Sequence, residues 1–285
     1  EALLASARPD DIAVSAAAAP FLERRFDLAP GPRTGTEAPS YRLTGRERKG
    51  FEILGRIGTF VGRSRELDLL ETRLDSAVGG HGQVAALVGE PGVGKSRLVW
   101  EFTRSCGSSV GLVLEASGAA HGKTVPFLPI RDLLGRYFQI EETESGDEIA
   151  AKVAGAVRGL DEGLASGIPA LQAIFEAPVN DATWGKLDPP QRRQQTLEAL
   201  GQLLLRESRR RPVLLVLEDL QWVDSETEAL LGMLVETIPA ARMMLLVTYR
   251  PEYRHSWGAP SFYTQLGVER LRTESAKEML DALLG

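Results

Sequence analysis

One run of eight residues has the residue types and spacing of a loop that binds phosphate groups. In such a loop, glycines let successive backbone N–H groups turn toward phosphate oxygens, and the helix that follows adds the positive end of its dipole. The lysine is expected to reach the β and γ phosphates of a nucleoside triphosphate, and the serine hydroxyl is expected to ligate Mg²⁺. The run matches G-x-x-x-x-G-K-[ST] at every fixed position: Gly89-Glu90-Pro91-Gly92-Val93-Gly94-Lys95-Ser96.

A nucleotide site of this kind also needs acidic groups, and two of them follow a second apolar run. Val213–Leu217 is continued by Glu218 and Asp219. If the run is a buried parallel strand, both carboxylates emerge at the C-terminal edge of the sheet, where open α/β folds bind ligands. We assign Glu218 to the metal and Asp219 to the attacking water, and the reverse assignment stays open.

Other segments offer groups that could complete the site. Arg250 and Thr248 end or follow the apolar run that starts at Met243, where the guanidinium could meet a γ phosphate or simply be exposed. Trp222 could stack on a base or pack against its neighbours. In Phe60-Val61-Gly62-Arg63, the glycine could let the backbone lie close to an adenine ring.

The apolar pattern predicts a fold that brings these strand ends together. Near-continuous apolar runs are typical of buried parallel strands, and apolar positions three and four apart indicate helices. Their alternation favours an α/β fold of the P-loop NTPase type, mainly a parallel sheet with helices on both faces, and residues 118–187 are expected to form an inserted helical region. The predicted strands are Asp11–Ser15, Gln83–Val88, Val110–Glu115, Val213–Asp219, Met243–Thr248 and Gly267–Leu271, and the predicted helices are Ala16–Arg24, Ser64–Ala77, Lys95–Arg104, Pro129–Phe138, Glu148–Val157, Pro190–Glu207 and Glu226–Glu236.

Composition narrows the partners and the compartment. The 33 Lys and Arg against 39 Asp and Glu give a net charge of −6, which argues against broad adhesion to nucleic acid. The arginines of Arg206–Arg211 are expected at an exposed helix end, with a local nucleic-acid patch as the alternative. The single cysteine, Cys106, cannot form an intramolecular disulfide, so we expect a reducing, cytoplasmic location. No apolar run approaches the ~18 to 20 residues that cross a bilayer, so no membrane span is expected.

Five segments spread over residues 60–285 carry a resemblance to a known family: Phe60–Arg63 with Glu66 and Leu67, Gly89–Leu98, Pro126–Arg131, Val216–Asp224 and Thr248–Glu252. Together they resemble the signal-transducing NTPases of the STAND class, relatives of AAA+ ATPases, and in particular the ATPase module of bacterial class III adenylate/guanylate cyclase-type proteins. The resemblance implies ATP as the nucleotide, slow hydrolysis and oligomers that depend on nucleotide. The family usually has His where Gln221 stands. It also implies residue roles: Val61, Gly62, Arg63 and Arg97 at the nucleotide pocket, Glu218 and Asp219 as Walker B acids, and Arg250 at the sensor position.

The first fifty residues carry a second resemblance. Pro9–Ser15, Phe26–Leu28 and Tyr41–Leu43 resemble the last strand, helix and tail of a class III cyclase domain. This implies that residues 1–47 are the end of such a domain with a linker, and that 55–285 are an ATPase domain whose lid is truncated. Because the sequence does not begin with Met, we expect a fragment whose parent carries the cyclase's catalytic residues and a repeat-rich sensor.

The expected function is an ATP-binding regulatory NTPase, in which Mg·ATP occupies the loop, hydrolysis is slow and the nucleotide state positions neighbouring domains. The alternatives are an active ATPase or phosphotransferase, an interaction module that has lost hydrolysis, and the ATPase module of a transcription regulator. Turnover well above ~1 per second would favour the active enzyme. Expected partners are ATP, ADP and the flanking domains, without direct binding of nucleic acid or membrane.

Overall fold

The computed structural model describes two compact units of the chain. The larger covers Val61–Ser275, and the described residues before Val61 belong to the other unit. The described residues are 12–16, 18–22, 28–31, 40–43, 60–106, 109–119, 123–141, 143–258, 260–271, 273–274 and 277–278.

The smaller unit contains a three-stranded antiparallel sheet. Its elements are β1 (Ile12–Ser15), α1 (Ala19–Leu22), β2 (Leu28–Pro30) and β3 (Ser40–Leu43), with β3 in the centre. The strand predicted from Asp11 is present from Ile12, and the predicted helix covers α1. Positions 11, 17, 23 and 24 of those predictions, and the residues Pro9–Asp11, Phe26 and Asp27 of the cyclase resemblance, lie outside the described residues, so the assignment of residues 1–47 stays a prediction.

The larger unit alternates strands and helices, as the apolar pattern predicts. None of its described helices is both long enough and apolar enough to cross a bilayer. Its elements are α2 (Ser64–Val78), β4 (Gln83–Val88), α3 (Lys95–Ser105), β5 (Leu112–Ser117), α4 (Leu128–Tyr137), α5 (Gly146–Leu160), α6 (Ile168–Ile174), α7 (Ala182–Lys186), α8 (Pro189–Arg210), β6 (Val213–Glu218), α9 (Ser225–Thr237), β7 (Met243–Tyr249) and β8 (Tyr263–Gly267).

The five strands of this unit form one parallel sheet in the order β5-β6-β7-β4-β8. Every residue of β4, β6 and β7 is buried. Because alternate side chains of a strand point to opposite faces, full burial means that both faces of the sheet are covered. The predicted α/β fold with a mainly parallel sheet is confirmed, and α4–α7 form the inserted helical region between β5 and β6.

The last predicted strand, Gly267–Leu271, is wrong in position. The strand lies earlier, at Tyr263–Gly267, where it pairs with β4 from Val84 to Val88. β4 ends at Val88 and a loop begins at Gly89, so residues beyond Val268 have no strand to pair with. Val268 makes the last bond, from its N–H to the Val88 carbonyl at 2.7 Å. The strand β5 begins at Leu112, two residues after its predicted start at Val110, because Leu112 pairs with Val213, the first residue of β6.

Asp224 connects the turn after β6 to the start of α4. Its Oδ1 caps α9 by accepting bonds from the N–H groups of Glu226 and Thr227 at 3.0 Å, and it also accepts the N–H of Phe127 at 3.0 Å. Its Oδ2 accepts the Thr227 hydroxyl at 2.7 Å. Phe127 is the N-cap of α4 and has a φ of 58°. The buried carboxylate of Asp224 therefore connects α9 and α4 to the turn that follows β6.

We predict that Asp224→Ala destabilises the larger unit by about 3 kcal/mol, because it removes a helix cap and leaves the Phe127 N–H without its acceptor. Urea unfolding followed by circular dichroism measures the change. Asp188→Ala is the matched control, since Asp188 caps α8 from an exposed position through Gln191, and its loss is expected to cost about 1 kcal/mol. Equal losses in the two variants would contradict the tether to Phe127.

Candidate functional site

The loop between β4 and α3 has the backbone conformation of an anion-binding turn. Gly92 has a φ of 80° and Gly94 a φ of 95°, in the left-handed region that glycine enters without steric cost. Gly94 is also the N-cap of α3, which starts at Lys95. The loop therefore leads into the N-terminus of an eleven-residue helix, whose first N–H groups have no partner within the helix.

Gly89 begins this loop and packs against backbone. A β-carbon placed there would lie 2.3 Å from the carbonyl oxygen of Val268, so no larger residue fits without moving the chain. The close approach joins the start of the loop to the end of β8. Next to it, a cavity of about 420 Å³ is lined by Val88–Glu90 and Val93 of the β4 side and by Pro251, Gln265 and Gly267–Arg270.

Lys95 is buried inside the loop. Its Nζ donates hydrogen bonds to the carbonyl oxygens of Gly89 at 2.7 Å and Glu90 at 3.1 Å, which leaves one of its three N–H groups for another acceptor. Burial lowers the pKa of Lys95, and the negative charge of Asp219 opposes that shift. Arg250 lowers the same pKa further, so the predicted acid and arginine both lie within electrostatic range of the lysine.

Glu218, the last residue of β6, is 4% exposed. Burial raises the pKa of Glu218 to about 7, and the Ser96 hydroxyl, which lies beside it, opposes this shift. The Oε2 atom of Glu218 is buried and has no hydrogen-bond partner among the described residues. A carboxylate with a vacant oxygen next to a hydroxyl suits a hard cation such as Mg²⁺. The donor set therefore fits the metal ligands predicted from the sequence, Ser96 and Glu218.

Asp219 is held in an unusual backbone conformation. Its φ of 57° is left-handed, which costs free energy for a residue that is not glycine. Its N–H donates to the Thr248 hydroxyl at 2.9 Å, and its carbonyl accepts the N–H of Trp222 at 2.8 Å. Its Oδ1 accepts the amide of Gln221 at 2.8 Å. The interaction of Gln221 with Asp219 could not be read from the sequence, since residue types two apart do not indicate a contact.

Arg250 follows β7 at the same edge of the sheet. Its guanidinium lies 5.5 Å from the ring centroid of Trp222 and 3.9 Å from the Glu252 carboxylate. Lys123 lies over the same ring at 5.7 Å. Sequence reasoning missed Lys123, because nothing in its neighbourhood marks it as part of a site. Trp222 therefore contacts two cations, the arrangement favoured by the negative face of an aromatic ring.

The segment Val61–Arg63, just before α2, contacts the loop through Arg63. Arg63 is buried, and its guanidinium donates to the Glu66 carboxylate at 2.8 Å, to the Val93 carbonyl at 3.4 Å and to the Glu269 carbonyl. It thus links the loop to the residues after β8. Gly62 has a φ of 71°, and Val61 is buried. Direct contact of Val61, Gly62 and Arg63 with a nucleotide stays a prediction.

Arg97 is the third residue of α3 and directly follows Ser96. Its guanidinium pairs with Glu101 and lies 4.8 Å from the Trp100 ring centroid on the same helix. Its predicted contact with nucleotide stays a prediction. For Pro91 and Val93, loop membership follows from the same run between β4 and α3.

The comparison with models of protein families identifies one family. The model of the AAA ATPase domain matches residues 59–247. An uncharacterized protein of Rhizobium meliloti (strain 1021) is 26% identical over 237 residues, which cover 81% of this chain and 22% of the relative. The chain thus spans about a fifth of the length of that curated relative.

Two solved structures are similar at low identity. One is a STAND protein with a tetratricopeptide repeat sensor from Pyrococcus horikoshii, at 15% identity and a TM-score of 0.41, covering 79% of this chain and 25% of that one. The other is PCH-2 of C. elegans, at 10% identity and a TM-score of 0.41, covering 84% of this chain and 54% of that one.

The raised pKa of Glu218 predicts a pH-dependent stability. Between pH 4.5 and about 7 the folded protein keeps a proton on this carboxyl that the unfolded chain has lost. The free energy of unfolding should therefore fall by up to about 3 kcal/mol as pH rises through this window and then level off. Glu218→Gln should remove most of this slope.

Urea unfolding at pH 5 and pH 8 measures the effect in both proteins. Glu198→Gln, at an exposed carboxylate of α8, is the matched control and should keep the slope of the unchanged protein. A Glu218→Gln variant with the same slope as the unchanged protein would contradict the assignment.

Proposed function

Because this chain belongs to the AAA ATPase domain family, we propose that it binds Mg·ATP on Gly89–Ser96 and hydrolyses it slowly as a regulatory switch. The observation that carries the proposal is the parallel pairing of β7 with both β4 and β6, which brings the loop after β4 and the acids after β6 to the same edge of the sheet. The charges of Glu218 and Asp219, from the end of β6, both act on the Lys95 ammonium, from the loop after β4. Loop, cation and acids thus occupy one edge of the sheet, as nucleotide hydrolysis requires.

Each group has a distinct part in this proposal. Lys95 and the N–H groups of the loop would hold the β and γ phosphates. Ser96 and the free Oε2 of Glu218 would hold Mg²⁺, which when bound neutralises charge on the phosphate oxygens. Asp219 would orient the attacking water and accept its proton.

Arg250 would report the γ phosphate. It lies within electrostatic range of Lys95 and rests beside Trp222, with its side chain one third exposed. A guanidinium that is loosely held on a ring can move to a phosphate without breaking a buried ion pair. Slow turnover and a switching role fit a site in which Arg250, after the end of β7, responds to the γ phosphate.

The neighbours of the module are a further part of the proposal. The motifs at Ile12–Ser15 and Tyr41–Leu43 support a cyclase-like domain ahead of the ATPase domain, and the longer curated relative is consistent with additional domains. A repeat-containing sensor and nucleotide-dependent oligomers follow from the STAND resemblance alone. In this view the switch acts between a sensor and an output domain.

Titration with a fluorescent ATP analogue and Mg²⁺, with turnover recorded in the same samples, tests the proposal. We expect binding by the unchanged chain, turnover below ~1 per second, and at least a tenfold weaker affinity in Lys95→Ala. Lys186→Ala removes an exposed lysine of α7 and is the matched control. Rapid turnover that depends on Lys95 would replace the switch by an active ATPase. Absence of binding by the folded chain would refute the nucleotide site.

A further inference from the structure

The segment between β7 and β8, residues 250–262, is bonded to the sheet through the side chain of His255. The hydroxyl groups of Tyr249, at the end of β7, and Tyr263, at the start of β8, lie 2.6 Å apart. The Nε2 atom of His255 lies 3.1 Å from the Tyr263 hydroxyl and 3.4 Å from the Tyr249 hydroxyl. His255 therefore connects the middle of the segment to the two strands that the segment joins.

The directions of these hydrogen bonds fix the tautomer of His255. The Tyr249 hydroxyl donates its one hydrogen to Gln265 Oε1 at 3.3 Å. Tyr263 must then donate the bond between the two hydroxyl groups, which leaves neither tyrosine a hydrogen for the imidazole. His255 therefore donates from Nε2, and in the neutral ring Nδ1 carries only a lone pair. This Nδ1 atom is buried and has no hydrogen-bond partner among the described residues.

The ring of His255 stacks on the ring of Trp257. Their centroids lie 4.5 Å apart and their planes differ by 11°. The indole Nε1 of Trp257 is also buried, and no hydrogen bond from the described part of the chain reaches it. Because unpaired buried polar atoms cost free energy, this stacked pair is a place where the fold can open locally.

Several titratable or charged groups surround this ring. Glu228 accepts the hydroxyl of Tyr253, and its negative charge raises the pKa of His255. Burial is the larger effect and lowers that pKa. The surrounding groups come from β7, β8, the segment itself and α9: Tyr249, Tyr263, Tyr253, Arg254 and Glu228.

Protonation of His255 acts against the contacts that hold the segment. It adds to Nδ1 a hydrogen that has no acceptor among the described residues, and it places a positive charge in a half-buried aromatic cluster. The face of Trp257 attracts a cation, but the lowered pKa means that burial outweighs this attraction. The contact is therefore most stable above pH 6.5, the ordinary pKa of histidine, and weakens as pH falls below that value.

We propose that His255 is a pH-sensitive switch, which holds residues 250–262 on the sheet when it is neutral and releases them when it is protonated. Because the segment begins with Arg250, release also frees the backbone that places its guanidinium beside Trp222. The release itself requires no nucleotide. Its effect on Arg250 as a sensor of the γ phosphate rests on the proposed function.

Hydrogen–deuterium exchange of the full chain without nucleotide, at pH 7.5 and pH 5.5, tests the release after correction for the intrinsic effect of pH. Amides of residues 250–262 should exchange up to about tenfold faster at pH 5.5, because the released form takes up a proton that the bound form disfavours. Amides of β4 are the internal reference and should keep their protection. Equal exchange of the segment at both pH values, or an equal rise in β4, overturns the proposal.

Three variants assign the effect to His255. His255→Gln keeps an N–H donor for Tyr263 but does not titrate, so the pH dependence of exchange should disappear. His81→Gln, at an exposed histidine between α2 and β4, is the matched control and should retain it. Tryptophan emission of the unchanged chain should show an inflection below pH 6.5, because the imidazole stacked on Trp257 changes its charge, and Trp257→Phe should lack it.

The two readouts keep the switch falsifiable even if one variant folds poorly. A rise in exchange that persists in His255→Gln overturns the role of His255. If His255→Gln lowers the thermal midpoint at pH 7.5, the fluorescence titration of the unchanged chain against Trp257→Phe carries the test. Absence of the inflection, or the same inflection in Trp257→Phe, then overturns the switch.

Titration with fluorescent ATP and ADP analogues at the same two pH values tests the effect on Arg250. In the unchanged chain, affinity for the ATP analogue should fall at least about twofold more than affinity for the ADP analogue, because only ATP brings a γ phosphate. His255→Gln should reduce this difference, and an equal difference in both proteins overturns the link to Arg250. Absence of ATP binding at both pH values refutes the proposed function, and the exchange measurement then decides the switch alone.

Discussion

The central position of β7 is the constraint on which the site depends. It pairs in parallel with β4 up to Val88 and with β6 up to Leu217. Adjacent strands lie about 4.8 Å apart, so the loop after β4 and the acids after β6 are separated by about 10 Å. The Thr248 hydroxyl, on β7, also accepts the N–H of Asp219, which adds a side-chain bond between β7 and the residue after β6.

Burial gives this edge of the sheet its electrostatic character. Burial lowers the pKa of Lys95 and raises that of Glu218, because in both groups the loss of water destabilises the charged form. Each opposes the shift of the other, but in both cases desolvation is the larger effect. A site of this kind favours a ligand that brings compensating charges of both signs, as a nucleotide with its metal does.

The parts of the fold that depend on local pattern could be predicted from the sequence, and the parts that depend on distant pairing could not. Continuous apolar runs identified β4, β6 and β7, and the glycine spacing identified the loop. The edge strand β8 was misplaced because its polar residues, such as Gln265, hide a strand that only the partner β4 defines.

The supporting contacts of the site follow the same division. Arg63 reaches the carbonyl of Glu269, which lies near the other end of the domain in sequence, and Asp219 bonds Thr248 on the neighbouring strand β7. No spacing along the chain indicates such contacts. The sequence indicated the residues that could contact a ligand directly. Most of the groups that hold those residues in place could be identified only from the structure.

The carboxylate of Asp224 also defines a mechanical path. It bonds the first turn of α9 and the N-cap of α4, and it lies five residues after Asp219. Asp224 therefore joins α4, the first of the inserted helices, to the turn that follows Glu218 and Asp219. A displacement of α4 that keeps this bond moves the turn with it, and one that breaks the bond leaves the Phe127 N–H without the Asp224 acceptor.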